Sequence, residues 1–109
     1  MNRPIILHIE DESSDVLLLE QAFRQSGLCV ELQNLADGET ALAYLSGLGQ
    51  FADRARYPLP DLVLLDLKLL GVSGFDVLRW LRRQEQFQTL PVVVLSAANQ
   101  QAEISLSYQ

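Results

Sequence analysis

Short apolar runs that alternate with helix-length segments are the feature that most restricts the fold of this chain. Four such runs occur, at residues 5–9, 30–35, 62–65 and 90–95. Each of the three segments that separate these runs contains apolar residues at helical spacing. Because parallel strands need crossover connections, this alternation favours a parallel sheet with helices on both faces. We therefore predict an α/β fold.

The polarity of each run predicts its place in the sheet. Three runs are apolar almost throughout, which is typical of strands covered on both faces, whereas residues 30–35 alternate apolar and polar side chains. The alternating run is therefore expected at an edge. The predicted arrangement is a flavodoxin-like, doubly wound sheet of order 2-1-3-4. Its first and third strands are neighbours at the switch point, where ligands bind in such sheets.

The remaining segments are assigned to helices and one loop. The first helix is expected to end at Gly27, and apolar positions in 41–45 and 77–81 mark two more helices. Residues 47–60 contain Gly, Pro and Arg without periodicity, so they are expected to form a long loop. A final helical stretch is predicted from about Asn99 to Gln109.

Composition narrows the function classes. With 109 residues the chain is expected to form one domain, and its net charge of −6 without a Lys/Arg run argues against direct nucleic-acid binding. The apolar runs are too short to span a membrane, and no signal peptide is evident. The single cysteine, Cys29, excludes an internal disulfide, indicates a cytoplasmic location and is expected to be a packing residue.

Acidic and hydroxyl side chains follow three of the predicted strands. Glu10 and Asp11 end the first strand, Asp66 ends the third and Ser96 ends the fourth. Taken singly, the acids after the first strand could only favour a helix dipole, Asp66 could be a turn residue, and Ser96 could be a small strand terminator. Together at one edge of the sheet, the three carboxylates predict a Mg²⁺ site, because Mg²⁺ prefers oxygen ligands.

At these residues the chain resembles the receiver domain of two-component response regulators. Four segments carry the resemblance: residues 6–11 (ILHIED), 37–42 (DGETAL), 64–70 (LLDLKLL) with Gly74 beyond, and 92–97 (VVVLSA). The long loop before the third strand further resembles the subgroup paired with cyanobacterial phytochromes.

The resemblance implies a role for each site residue. Asp66 would accept a phosphoryl group from a phosphohistidine of a sensor histidine kinase, as a phosphoacceptor and not as a multiple-turnover enzyme. Asp11 and Asp66 would bind Mg²⁺ directly, Glu10 would bind it through water, and Lys68 would contribute its backbone carbonyl. Ser96 would hydrogen-bond the transferred phosphoryl group and switch a protein-interaction surface.

Two departures from the family pattern are expected to matter. Leu70 stands where the family usually has Pro. The fifth strand, its Lys and the fifth helix are expected to be absent, so that residues 1–109 would form a C-terminally incomplete receiver domain. The fourth strand would then be an exposed apolar edge, and such edges favour self-association.

Two other functions compete with the phosphoacceptor. One is a receiver-like interaction module that is not competent for phosphorylation. The other is a phosphatase of the haloacid dehalogenase type, which also uses a strand-end Asp. That family requires a second Asp two residues later, and Lys68 occupies this position.

Overall fold

Strands and helices alternate along most of the chain in the computed structural model, which describes residues 3–69, 71–96 and 103–107. The strands are β1 (Ile5–Ile9), β2 (Glu31–Leu35), β3 (Leu62–Asp66), β4 (Val92–Ser96) and β5 (Glu103–Ser107). The α-helices are α1 (Ser13–Ser26), α2 (Gly38–Ser46) and α3 (Gly74–Arg83). Two short 3-10 helices cover Gly49–Ala52 and Glu85–Phe87.

The strands form a single sheet of order β2-β1-β3-β4-β5. The first four strands are parallel, so the predicted order 2-1-3-4 is confirmed. At the centre of β1, His8 lies in register with Asn34 on β2 and with Leu64 on β3. Because all four strands run the same way, their carboxyl ends lie along one edge of the sheet.

The end of the chain differs from the prediction. Residues expected to form a last helix instead contain β5, which pairs antiparallel with β4 and places Glu103 in register with Ser96. A fifth strand is therefore present, with the opposite direction to its neighbours. The prediction of an exposed β4 edge was wrong, and with it the reason to expect self-association through β4. The physical cause is that the unpaired backbone groups of β4 gain partners from β5.

The main core lies between one face of the sheet and the helices α2 and α3. Its strand residues are Leu7, Ile9, Val63, Leu65, Val92 and Val94, and its helix residues are Ala41, Tyr44, Leu45, Val77 and Leu81. Helix α1 lies on the opposite face of the sheet. The connection from β1 to β2 moves across the sheet in the opposite direction to the later connections, and a right-handed crossover in that direction places its helix on the other face. No residue of α1 is buried. The two faces are thus covered unevenly.

The long loop after α2 is anchored by Arg54, in agreement with the predicted loop at residues 47–60. Its guanidinium donates hydrogen bonds to the carbonyls of Tyr44 at 2.7 Å, Leu45 at 3.0 Å and Tyr57 at 3.2 Å. The Tyr44 hydroxyl donates to the carbonyl of Pro58 at 2.7 Å. These bonds satisfy carbonyls at the end of α2 and hold the loop against the core.

Two further expectations concern the surface. Cys29 is exposed, so the expectation that it packs in the core was wrong. It follows α1, whose end lies at the surface. Among the described residues, no helix has the length and apolar character needed to cross a membrane.

Candidate metal and phosphoacceptor site

The acidic pair after β1 consists of one buried and one exposed carboxylate. Glu10 is only 6% exposed, whereas Asp11 faces solvent. The backbone N–H of Glu12 donates to Glu10 Oε2 at 3.2 Å, which fixes the buried side chain at the corner between β1 and α1. The strand therefore ends by presenting two differently solvated acids at the sheet edge.

Asp66 is the last residue of β3 and is 7% exposed. The backbone N–H of Lys68 donates to Asp66 Oδ1 at 3.0 Å, so the carboxylate is oriented by the turn that follows it. The Lys68 side chain is exposed, as expected of a residue whose implied role uses only its backbone.

The structure brings Glu10, Asp11 and Asp66 together. One carboxylate oxygen from each residue lies within 4.8 Å of the other two. Three carboxylates at this separation repel one another unless a proton or a cation intervenes. Their oxygen-only donor set, with Asp11 open to water, fits a hard divalent cation such as Mg²⁺, which keeps several water ligands.

The titration of Glu10 reflects this crowding. Burial, together with the charge of Asp66 and a hydrogen bond to its carboxyl, raises the pKa of Glu10 to about 7, and the Glu12 N–H partly opposes this rise. Glu10 therefore takes up a proton at a higher pH than an ordinary glutamate does. A bound cation would compete with that proton.

His8 adjoins the site but was not predicted from the sequence. It is 1% exposed, and its Nδ1 is buried without a hydrogen-bond partner in the described structure. Burial lowers the pKa of His8, although the carboxylates of Asp66, Asp15 and Glu20 act in the opposite direction. The sequence signal was the period-2 alternation of β1, which places His8 on the same face as Glu10.

Asn34 is a second residue that the sequence analysis did not identify. Its side-chain amide on β2 donates to the carbonyl of His8 at 3.0 Å and to the carbonyl of Glu10 at 3.4 Å. The backbone N–H of Glu10 donates to the carbonyl of Leu35 at 2.9 Å. The end of β1 is therefore held from the neighbouring strand, and this support depends on the register of β1 and β2.

Ser96 lies where the sequence predicted it, at the end of β4. In the pairing of β3 with β4, Asp66 is in register with Leu95, so Ser96 is the next residue along the strand. Its neighbour in register on β5 is Glu103. Leu70 lies outside the described residues.

An open cleft lies elsewhere on the molecule. It has a volume of about 400 Å³ between α1 and β2 and includes Phe23, Arg24, Leu28 and Val30 in its lining. None of the three clustered carboxylates borders it. The three clustered carboxylates therefore lie at the carboxyl edge of the sheet and outside this larger space.

Comparison with known proteins agrees with this arrangement. The chain is 36% identical over 104 residues to a probable methanogenesis regulatory protein, FilR2, of Methanothrix harundinacea, covering 95% of this chain and 64% of that protein. It is 32% identical over 105 residues to response regulator Rcp1 of Synechocystis, covering 96% of this chain and 69% of that protein. The chain thus spans about two thirds of the length of these relatives.

Solved structures give the same result. The phosphorylated cyanobacterial phytochrome response regulator RcpA superposes with a TM-score of 0.81 at 34% identity, over 91% of this chain and 69% of that one. The Mn²⁺-bound form of Rcp1 superposes with a TM-score of 0.78 at 34% identity, over 85% and 65%. The predicted resemblance to phytochrome-associated regulators is therefore confirmed.

The family itself is shown by a match across nearly the whole chain. Residues 6–108 match the family described as the response regulator receiver domain. The match includes both segments that supply the clustered carboxylates, and it leaves no support for the haloacid dehalogenase alternative. Sequence, topology and site geometry agree, and the chain belongs to the response regulator receiver domain family of two-component signalling.

Proposed function

We propose that Asp66 accepts a phosphoryl group from the phosphohistidine of a sensor histidine kinase in a Mg²⁺-dependent reaction. The observation that carries this proposal is the convergence of Glu10, Asp11 and Asp66 within 4.8 Å at the carboxyl edge of the sheet. Membership of the receiver family supports the same reaction class. The chain would act as a stoichiometric phosphoacceptor and not as an enzyme with multiple turnovers.

The chain's own residues can hold the divalent cation. Asp11 and Asp66 would bind it directly, Glu10 would bind through a water molecule, and Lys68 would offer its backbone carbonyl. When bound, Mg²⁺ offsets the charge of the carboxylates and of the incoming phosphoryl group. The Mn²⁺-bound form of Rcp1 supports a divalent ion at such a site. The choice of Mg²⁺ is part of the proposal.

Asp66 supplies the nucleophile. A carboxylate oxygen of Asp66 forms a bond to phosphorus while the bond from phosphorus to the imidazole nitrogen breaks and its electron pair returns to the imidazole. The product is an acyl phosphate on Asp66 and a free histidine on the kinase. The Lys68 N–H, at 3.0 Å from Oδ1, holds the carboxylate in one orientation before attack.

Ser96 is proposed to read the phosphorylated state. It lies one residue beyond Leu95, which is in register with Asp66, so its position along the edge is suited to a hydroxyl that donates to a phosphoryl oxygen. Formation of that hydrogen bond would move the end of β4 and so change a surface that binds another protein. We further propose that the 109 residues act as one receiver unit in the cytoplasm, without direct contact to nucleic acid.

The test uses a small-molecule phosphodonor. Incubation of the chain with acetyl phosphate and Mg²⁺ should add one phosphoryl group, as measured by intact-mass spectrometry. Asp66→Asn should abolish the gain. Asp61→Asn is the matched control, because Asp61 precedes the same strand at the opposite edge and accepts a hydrogen bond from the Ile5 N–H that Asn can also accept. A folded wild-type chain without any mass gain would refute phosphoacceptor activity.

One observation favours a second function, an interaction module that does not use phosphorylation. The position in register with Ser96 on β5 holds Glu103, and the only lysine of the chain, Lys68, is exposed. The described residues of β5, 103–107, therefore include no lysine that could pair with the phosphoryl group. A partner protein that binds wild type and Asp66→Asn with equal affinity, before and after acetyl phosphate treatment, would favour this alternative.

A further inference from the structure

We propose that Gly38, in the first turn of α2, is a positioning residue for the β3–α3 loop and thereby for the metal site. This loop follows Asp66 directly, and its residues 67–69 and 71–73 are described. The role of Gly38 rests on the proposed function of Asp66, because it acts through the loop that shapes the site. Gly38 is 28 positions away from Asp66 in sequence and is joined to the loop only by packing.

The contact between α2 and the loop leaves no room for a side chain on residue 38. A Cβ atom built on Gly38 would lie 2.5 Å from the carbonyl oxygen of Val72 and 3.1 Å from its Cβ and Cγ1 atoms. The closest atom belongs to the backbone, so a change of rotamer cannot relieve the clash. Gly38 is itself buried, which closes the alternative of turning the new atom toward solvent.

The other end of the loop is held in the same way. A Cβ atom on Gly74, the first residue of α3, would lie 2.3 Å from the Asp66 carbonyl oxygen and 2.6 Å from Leu67 Cα. The first residue of α3 therefore packs against the start of the loop, at Leu67, and the first residue of α2 packs against its end, at Val72. Because α3 is fixed against Asp66, displacement at Val72 has to be absorbed within the few residues that include Lys68.

The size of the displacement determines whether the ligand distances of the metal site change. Real Cβ atoms hardly ever approach within 3.0 Å of another heavy atom, so an alanine at position 38 would push the Val72 backbone by about half an ångström or more. Mg²⁺ requires near-octahedral geometry with ligand distances held to roughly 0.2 Å. Less than half of the Val72 shift, carried to Lys68, whose N–H orients Asp66 Oδ1, would reach this tolerance.

The test compares two glycine-to-alanine variants of the full chain by isothermal titration with Mg²⁺. Gly38→Ala should bind Mg²⁺ about tenfold more weakly than wild type, the lower range for loss of support behind metal ligands. Gly27→Ala is the control. It also loses stability, because Gly27 has φ of +79°, but its Cβ would meet nothing within 4 Å at the far end of α1. Its Mg²⁺ affinity should stay within twofold of wild type.

The outcomes separate this role from the proposed function. Equal Mg²⁺ affinity in Gly38→Ala and wild type would overturn the positioning role and leave Asp66 as phosphoacceptor. Failure of wild type to bind Mg²⁺ would overturn the proposed function itself. If Gly38→Ala does not fold, the wild-type chain decides by NMR: Mg²⁺ should shift the amide resonances of Gly38 and Val72 but not that of Gly27. Unmoved Gly38 and Val72 resonances would contradict the role.

Discussion

Glu10 and Asp11 are neighbouring acidic residues that differ in their exposure to solvent. Both end β1, yet Glu10 is buried beside Asp66 and Asp11 is open to solvent. Burial raises the pKa of Glu10 to about 7. The buried carboxylate of Glu10 therefore loses its charge at a higher pH than an ordinary glutamate does.

Mg²⁺ binding should consequently depend on pH through Glu10. At pH 8 the group is mostly charged and attracts the cation, whereas at pH 6 most of it is protonated and neutral, so we expect about a tenfold weaker Mg²⁺ affinity at pH 6. Isothermal titration at the two pH values measures this. Glu10→Gln should bind weakly at both, with the pH dependence largely lost. An unchanged dependence in Glu10→Gln would show that another group is responsible.

Without a divalent ion, the same shift affects stability with a defined sign. The folded pKa of Glu10 lies above its ordinary value of 4.5, so the folded state takes up the proton more readily. This contribution to stability is complete below pH 4.5 and is lost as the pH rises toward 7. Mg²⁺ should restore the loss at pH 7 and above, because it replaces the proton.

His8 should shift stability in the opposite direction. Its pKa is lowered by burial, so the unfolded chain takes up a proton below pH 6.5 before the folded chain does, and stability falls as the pH falls. One proton contributes at most about 1.4 kcal/mol per pH unit. Urea unfolding of wild type and His8→Leu at pH 7.5 and 5.5, followed by the fluorescence of Trp80, measures the difference.

The His8→Leu variant should lose less stability than wild type between these two pH values. The comparison removes the contribution of Glu10, which is common to both chains. Equal losses in the two proteins would mean that His8 is not the group that destabilises the fold in acid.

Three of the site residues could be read from the sequence, and the reason is geometric. Glu10, Asp11 and Asp66 each end a strand, and strand ends in a parallel sheet meet at one edge regardless of side-chain detail. The contributions of His8 and Asn34 depend instead on which face each side chain takes and on the register of β1 with β2. The amide of Asn34 reaches the carbonyls of His8 and Glu10 only in the observed register of β1 with β2, which the pattern of the half-exposed β2 specifies weakly.

At the level of elements, the loop after α2 is the segment most dependent on one side chain. Arg54 satisfies three backbone carbonyls with a single half-buried guanidinium. Sequence analysis placed a loop here because of its Gly and Pro content. The anchoring role of Arg54 required the fold, since two of its partners lie at the end of α2 and the third lies within the loop itself.

Arg54→Ala should lower the free energy of unfolding by about 2 kcal/mol, since hydrogen bonds from a charged donor are lost and carbonyls near the end of α2 lose partners. Arg56→Ala is the matched control. Arg56 is exposed and lies 5.6 Å from the centre of the Tyr57 ring, a contact worth about 0.5–1 kcal/mol at most. Urea unfolding of both variants checks the difference. Equal losses would contradict the anchoring role of Arg54.

The first four strands were predictable because three runs had the length and apolar composition of buried strands and residues 30–35 alternated as an edge strand does. The last element was not. Residues 103–107 alternate polar and apolar (EISLS), which is a strand signal, although a helix was predicted here. Whether so short a segment becomes a strand depends on a partner edge, and β4 supplies that edge only once the sheet has formed.

Across the whole molecule, the sheet is covered unevenly and β5 closes one side of it. The face against α2 and α3 holds the main core, whereas Leu17 and Leu18 of α1 are 58% and 62% exposed. The β4 edge is apolar and is protected by pairing with β5. Loss of that pairing should expose an edge that favours association between chains.

Proline substitutions in β5 test this protection. Ile104 pairs with Leu95, and Ser105 pairs with Val94. Successive N–H groups of a strand point to opposite sides, so only one of the two variants Ile104→Pro and Ser105→Pro removes a hydrogen bond to β4. One variant should self-associate more strongly than the other in sedimentation velocity, and the weaker one serves as its control. Sedimentation of both variants identical to that of wild type would contradict the protective role of β5.

The central claim is that Asp66 carries an acyl phosphate formed with the help of the carboxylate cluster, and peptide mapping tests it most directly. After treatment with acetyl phosphate and Mg²⁺, tandem mass spectrometry should place one phosphoryl group on Asp66. Hydroxylamine should remove the group, because acyl phosphates react with it, and chelation of Mg²⁺ before treatment should prevent its formation. A hydroxylamine-stable phosphoryl group on another residue, or one that forms equally without a divalent ion, would contradict the account.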